Sequence, residues 1–157
     1  MKLIIAISIA AVILLLIFVQ SNKFYGERVY TDYPSFSIED MAKDSDIIVL
    51  GVVESIDDLN YNIYMANIKI EEEFTDSYND TYVIVRAYNA DKYVNEVSLE
   101  EGERVLLFLK DFYDEGYYQV PYGAQGKFII KDGKAYNNLN VYDEDEIIKI
   151  IKEYLNR

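Results

Sequence analysis

The feature that most constrains this chain is an apolar run near its N-terminus. Residues 3–19 read LIIAISIAAVILLLIFV, in which Ser8 is the one polar residue. As a helix, at roughly 1.5 Å per residue, the run would reach about 26 Å, close to the ~30 Å hydrocarbon core of a bilayer. We therefore predict an N-terminal membrane anchor over residues 1–22, with residues 3–19 in the lipid bilayer.

A cleaved signal peptide is the alternative to an anchor. Signal peptides have an apolar region of about 7–15 residues and small residues before the cleavage site. Here the run is longer and ends in FVQSNKFYGERVY, which has no A-x-A pattern, so an anchor is favoured. The positive charges on the two sides of the run are balanced, but a two-residue tail before a long domain usually stays inside. We expect a single-pass protein of the cell membrane with its C-terminal domain outside the cytoplasm.

The residue types that the chain lacks exclude several kinds of site. It contains no cysteine and no histidine. Disulfide scaffolds, histidine-ligated zinc and Ser-His-Asp triads are therefore excluded. The formal net charge of −13 disfavours nucleic acid as a partner, because the phosphate backbone attracts basic surfaces. We predict that the chain is not an enzyme.

Residues 23–36 show no clear period and are predicted to be a juxtamembrane linker. After them come segments of β-branched and aromatic residues separated by turns, which is typical of a small β-barrel or sandwich. The predicted strands lie in DIIVLGVVESID, YNIYMANIKIEEEF, TYVIVRAYNA, ERVLLFLKDF, GYYQVP, GKFII and KAYNN. Gly51 marks a bend or bulge in the first strand, and a change of phase in the second predicts a bulge near Met65 and Ala66.

A helix is predicted at each end of these strands. Ser37 and Asp40 have the spacing of a capping box, and Asp143 and Glu146 have the same spacing before an amphipathic C-terminal segment. The fold class is therefore mainly β. We predict an extracytoplasmic OB-like β-barrel of about five to seven strands over residues 37–157, with a short N-terminal helix and a C-terminal amphipathic helix. A sandwich is the alternative.

The stretch YGAQGKFII has two glycines and a lysine that suggest a phosphate loop. The phosphate-loop pattern G-x-x-x-x-G-K-[ST] fails here, because Pro121 stands at its first glycine and Phe128 at its hydroxyl position. The glycines instead predict a turn into a strand. Gln125 and Lys127 remain candidates to face a partner.

Calcium is the metal that an acidic chain without histidine or cysteine would suit. The segment DLNYNI has the first spacings of an EF-hand loop, but Ile63 replaces its glycine and Lys69 its final glutamate. The acidic runs at residues 71–73 and 143–146 are typical of a solvated strand end and a helix start. We expect no cofactor and no metal site, with weak calcium binding as the alternative.

One sequon for N-glycosylation, NDT at residues 79–81, lies in a segment that is predicted to be an exposed turn. Asn79 is therefore a possible glycosylation site if the domain lies outside the cytoplasm. Chance occurrence of the sequon is the alternative.

Three segments resemble a family of secreted or membrane-anchored prokaryotic β domains. MAKDSDIIVLGVVESI resembles a short helix that leads into a D-x-I-V-x-G-x-V strand, LEEGERVLLFLKDF resembles G-E-x-V-L-L-F-L, and GYYQVPYGAQGKFII resembles Y-x-V-x-G-x-x-Q-G-K-F. The resemblance covers about residues 41–130. It implies a fold similar to the OB-like barrel of netrin modules and tissue inhibitors of metalloproteases. Their inhibitory activity does not carry over, because those inhibitors use an N-terminal cysteine.

These observations predict a binding or structural role. We expect a membrane-anchored module that binds another envelope protein or supports the cell envelope. The alternative is an accessory subunit or inhibitor of an extracytoplasmic hydrolase. A binding module should expose a tyrosine-rich patch, and the chain has 16 tyrosines. Its richness in Ile, Lys, Tyr, Asn and Glu is typical of an archaeal source.

Overall fold

The computed structural model describes residues 29–30, 33–60, 62–89, 93–112 and 115–157. The predicted membrane anchor, residues 1–22, lies outside the described residues, as do residues 23–28 and 31–32 of the predicted linker. No helix within the described ranges combines the length and the apolar character needed to cross a bilayer.

Ten strands and two helices are described, together with one 3-10 turn. In chain order they are β1 (Val29–Tyr30), α1 (Ile38–Asp44), β2 (Ile47–Asn60), β3 (Ile63–Glu73), β4 (Tyr82–Tyr88), β5 (Tyr93–Val94), β6 (Arg104–Asp111), β7 (Tyr118–Gln119), the 3-10 turn (Gly123–Gly126), β8 (Lys127–Lys131), β9 (Lys134–Tyr136), β10 (Val141–Asp143) and α2 (Glu144–Leu155).

Five of the strands close into a small barrel. β2 pairs with β3 on one side and with β6 on the other, and β3 pairs with β4. β7 then closes the barrel, because it pairs in parallel with β4 and antiparallel with β6. β8, β9 and β10 extend the sheet beyond β6, while β1 and β5 form a separate parallel pair. The prediction of a mainly β fold with a small closed barrel is confirmed, and the strand order is consistent with an OB-like barrel.

The continuous apolar run of β2 is buried on both faces because the strand separates two cores. Val49 and Val53 point into the barrel core. Ile48 and Leu50 belong to a second core, which lies under the helices and includes Phe108. A strand that is covered on both sides needs apolar residues at successive positions rather than at alternate ones.

Shifts in the register between β2 and β3 curve these strands into the barrel. One shift lies at Gly51, as predicted, where an added Cβ would come within 2.4 Å of the carbonyl oxygen of Lys69. The predicted bulge at Met65 and Ala66 is wrong, because these residues keep consecutive partners in the ladder. The inward residue before Ala66 is Tyr64, which packs on the barrel core and donates from its hydroxyl to the carbonyl of Leu99.

Both helices lie over the second core. The hydroxyl oxygen of Ser37 accepts a hydrogen bond from the backbone N–H of Asp40, so the predicted capping box of α1 is present. Asp143 precedes α2 but makes no side-chain cap; its carboxylate pairs instead with Lys134. Ile147 of α2 is fully buried in this core.

The residues just before α1 lie against the sheet. The side-chain amide of Gln125 donates to the carbonyl of Pro34 at 2.8 Å and accepts from the backbone N–H of Phe36 at 3.2 Å. The hydroxyl of Tyr33 donates to Glu96. Tyr33, Pro34 and Phe36, which lie in the segment predicted as a linker, therefore make hydrogen bonds with residues of the β domain.

Candidate functional site

The outward side chains of β3 and β4 form the surface with the clearest binding chemistry. Residues that alternate with them, such as Ala66 and Val85, are fully buried in the barrel core. Successive side chains of a strand point to opposite faces, so the remaining positions face outward. We call this set the β3–β4 face; it comprises Ile63, Met65, Asn67, Lys69, Tyr82, Ile84, Arg86 and Tyr88.

The ladder between β3 and β4 places these side chains in four opposed pairs. They are Ile63 with Tyr88, Met65 with Arg86, Asn67 with Ile84, and Lys69 with Tyr82. Ile84 is 45% exposed and Tyr82 is 38% exposed. Exposed large apolar side chains next to one another on a sheet are typical of an interaction surface.

Aromatic residues from neighbouring segments enlarge the face at the Tyr88 end. The ring of Tyr88 lies edge-on to that of Tyr93 at 5.4 Å, and the guanidinium of Arg86 lies 5.5 Å from the centre of the Tyr88 ring. Tyr117 donates to Glu115, which raises the pKa of this tyrosine, while Arg86 acts in the opposite direction. Arg86 therefore contacts aromatic groups on two sides, an arrangement that limits its motion.

Charge also distinguishes the β3–β4 face. Where β3 and β4 pair, none of the eight outward positions is acidic, and Lys69 and Arg86 are both cationic. Carboxylates adjoin this set: Asp57 of β2 lies opposite Met65, and Glu71, two residues after Lys69, is paired with Arg104. In OB-fold barrels, the surface of the second and third strands is one that takes ligands, and β3 and β4 are the second and third strands of this barrel. The β3–β4 face is therefore our candidate functional site.

The sequence alone does not identify this face. The alternation in TYVIVRAY shows that two sets of residues exist, but it does not show which set faces the core. In β3 the predicted change of phase is wrong, because Tyr64 is an inward residue that packs on the barrel core. The signal that could have revealed the face is the absence of acidic residues from both strands over residues 63–70 and 82–88.

The two residues predicted to face a partner lie near the 3-10 turn. Gln125 is 5% exposed, and its amide is hydrogen-bonded to the backbone on both sides of Ser35. The Nζ of Lys127 donates to Glu103 at 2.6 Å and to the carbonyl of Ser98 at 2.7 Å. A partner-facing role stays a prediction for both, and these contacts favour a structural role.

The glycines of this stretch permit the tight turn that was predicted. Gly123 has a φ of +54°, and an added Cβ would lie 2.4 Å from the carbonyl oxygen of Asn95. At Gly126 it would lie 2.6 Å from a methyl group of Val120. The turn leads directly into β8, whereas a phosphate loop leads into a helix.

The predicted glycosylation site is exposed. Asn79 lies in the segment between β3 and β4, next to Tyr78, whose hydroxyl donates to the carbonyl of Tyr82. A glycan at Asn79 would thus be attached close to one end of the β3–β4 face. Its presence stays a prediction.

The acidic segments are engaged in turn hydrogen bonds and ion pairs. Asn60, in the segment that resembles the start of an EF-hand, accepts hydrogen bonds from the backbone of Asn62 and Ile63 and so forms the turn between β2 and β3. Glu71 and Glu144 are both paired with Arg104. No group of three or more acidic side chains among the described residues could hold a metal ion.

The chain matches no model of a known protein family. It also matches no curated protein.

Proposed function

We propose that this chain is a protein-binding module that contacts its partner through the β3–β4 face. The observation that carries the proposal is the composition of this face. It combines exposed Tyr82 and Ile84 with the cations Lys69 and Arg86 and has no carboxylate, although the chain as a whole is strongly acidic.

The chemistry of the face indicates what the partner must offer. Aromatic residues and arginine contribute most of the energy at many protein interfaces. Ile84 lies between Tyr82 and Arg86 on the outward side of β4, so the matching surface should have an apolar centre with a carboxylate beside it. Two cations on a chain of net charge −13 are too few to favour nucleic acid.

The cellular setting is part of the proposal. The apolar run at residues 3–19 supports a membrane anchor, and the proposal places the β domain outside the cytoplasm. The partner would then be another envelope protein. The composition of the chain supports an archaeal source.

A relation to netrin modules and tissue inhibitors of metalloproteases is the finer form of the fold proposal. It is supported by the segment resemblances and by the order in which the five strands close the barrel. The second candidate function follows from this relation. It is an accessory subunit or inhibitor of an extracytoplasmic hydrolase, which would use the same β3–β4 face.

A site-specific photocrosslinker tests the proposal. Benzoylphenylalanine replaces Ile84 in one variant of the full-length chain and Val141 in the control. Val141 is 60% exposed and Ile84 is 45% exposed, so the control position is at least as accessible. Irradiation in membranes of the native host should give one dominant crosslinked protein from position 84 and none of it from position 141. The captured protein is then purified and its affinity is measured directly.

Charge and shape variants complete the experiment. Ile84→Asp and Arg86→Glu should each weaken binding of the purified partner by at least about tenfold, or 1.4 kcal/mol, and Val141→Asp should leave the affinity unchanged. Equal loss of affinity in all three variants, or equal crosslinking from both positions, would refute the assignment to the β3–β4 face.

A further inference from the structure

A groove on another part of the surface suggests a second binding site. Two clefts, of about 210 Å³ and about 290 Å³, lie beside the 3-10 turn and share Ala124 and Asn138 as lining residues. We call the pair the Asn138 groove. It is formed by Tyr33, the loop after β5, the 3-10 turn, β8 and the β9–β10 hairpin, and none of its lining residues belongs to the β3–β4 face.

Hydrogen bonds within the chain order the residues that line the Asn138 groove in the absence of a ligand. The side-chain amide of Asn137 donates to the carbonyl of Gln125, and its oxygen accepts from the backbone N–H groups of Leu139 and Asn140. On the other side, the backbone N–H of Ala124 donates to the carbonyl of Asn95 at 2.8 Å. A site that is already ordered loses less conformational entropy when it binds a ligand.

The lining of the groove is polar and nearly neutral. Glu96 and Lys127 are the charged residues that line it among the described residues. Lys127 is paired with Glu103, and Glu96 accepts a hydrogen bond from Tyr33. The described lining therefore holds no unpaired cation for an anion such as a phosphate.

Hydrogen-bonding groups in the groove are left available. The side chains of Ser98, Tyr136 and Asn138 make no hydrogen bond with other described residues. They supply two hydroxyls and a carboxamide, each of which can both donate and accept. The ring of Tyr136 is 39% exposed, and Ile129 lies near it in the lining. The groove thus combines paired donors and acceptors with apolar surface.

We propose that the Asn138 groove binds a neutral oligosaccharide. A sugar ring presents hydroxyls at its edge, which suit the hydroxyl and carboxamide groups, and C–H groups on its face, which suit the ring of Tyr136. A purely apolar ligand would leave the asparagine and serine groups without partners, which lowers affinity. A flat protein surface would not enter two concave clefts.

Titration calorimetry with defined probes tests the proposal. The full-length chain is kept in zwitterionic detergent micelles, because detergents with sugar head groups would compete. The probes are cellotetraose, maltotetraose and chitotetraose, with tetragalacturonate as the charged control. At least one neutral probe should bind saturably with a dissociation constant below about 10 mM, and tetragalacturonate should bind at least about tenfold more weakly.

Variants then locate the binding. Tyr136→Ala and Asn138→Ala should each weaken the neutral probe by about tenfold or more, while Ile84→Asp should bind it as the unchanged chain does. Circular dichroism and melting temperature confirm that the variants are folded. Failure of all three neutral probes to bind, equal binding of tetragalacturonate, or unchanged affinity in both groove variants would each overturn the proposal. Because Ile84→Asp separates the two surfaces, loss of the protein partner and loss of the sugar remain distinguishable.

Discussion

Replacement of Gln125 by alanine tests whether this residue is structural. Its side-chain amide joins Pro34 and Phe36 to the 3-10 turn through two hydrogen bonds, at 2.8 and 3.2 Å, and the residue is 5% exposed. Each bond contributes roughly 1 kcal/mol, and a backbone group that is left without a partner costs more. Together with the space left by the side chain, we expect a loss of about 2–4 kcal/mol of unfolding free energy.

Thermal unfolding of the intact chain in detergent micelles measures this loss. The near-ultraviolet circular dichroism of the tyrosines reports on tertiary structure, since the chain has 16 tyrosines and no tryptophan. A loss of this size should lower the melting temperature by roughly 6–15 °C for a domain of this length. Gln119→Ala is the matched control, because the side chain of Gln119 is half-buried but makes no hydrogen bond with other described residues.

Replacement of Gln125 by glutamate separates the two hydrogen bonds. A glutamate at this position can still accept from Phe36, but its carboxylate cannot donate to the carbonyl of Pro34. Burial and the facing carbonyl should raise the folded-state pKa of this glutamate above its unfolded value of about 4.3. Its contribution to stability is therefore present below that value and is lost as the pH rises through the folded-state pKa. The loss of unfolding free energy in Gln125→Glu, relative to the unchanged chain, should therefore be smaller at acid pH.

The reasoning would be refuted if Gln125→Ala changed the melting temperature no more than Gln119→Ala does. In that case the contacts with Pro34 and Phe36 would add little to stability. A partner-facing role for Gln125 would then regain support.

Three further predictions concern other parts of the molecule. Burial, and then the hydrogen bond to Asp44, raise the pKa of Tyr122. The stability contributed by its neutral form is therefore full below about pH 10 and falls above it. Urea titrations from pH 8 to 11 should show a shallower fall of the unfolding free energy with pH for Tyr122→Phe, and an equal slope in both proteins would contradict this. Lys127→Met leaves Glu103 largely buried without its partner and should cost about 3 kcal/mol, part of which a second change, Glu103→Gln, should restore in chemical denaturation. Expression in a host that glycosylates secreted proteins should add a glycan that Thr81→Ala removes, as seen by mass spectrometry; an unglycosylated chain would count against the outside location or the use of Asn79.

Several features of the fold could be predicted because they depend on neighbouring residues. Ser37 and Asp40 form a capping box through contacts within one helical turn. Asp132 and Gly133 form an Asp-Gly pair between two predicted strands, a pattern typical of a two-residue hairpin, and both have positive φ angles in the turn between β8 and β9. The apolar run of β2 is long enough to show that both of its faces are covered.

Other features could not be predicted because they depend on contacts between distant segments. The inward position of Tyr64 depends on Leu99, which accepts its hydrogen bond. The sequence shows Gln125 and Lys127 as polar residues next to glycines, which is equally typical of an exposed loop. Their burial follows from the packing of Phe36 and Ser98 against them, and no local pattern contains that information.

By itself, the sequence determined the membrane-length apolar run, the excluded chemistries, the helices and seven of the ten described strands, because each of these follows from composition or from residues close together in the chain. The tertiary structure decided which side of β3 and β4 faces outward and how the β9–β10 hairpin meets the loop after β5 to form the Asn138 groove. The physical reason is that closure of the barrel through β7, which pairs with both β4 and β6, fixes the inside and the outside of every strand at once.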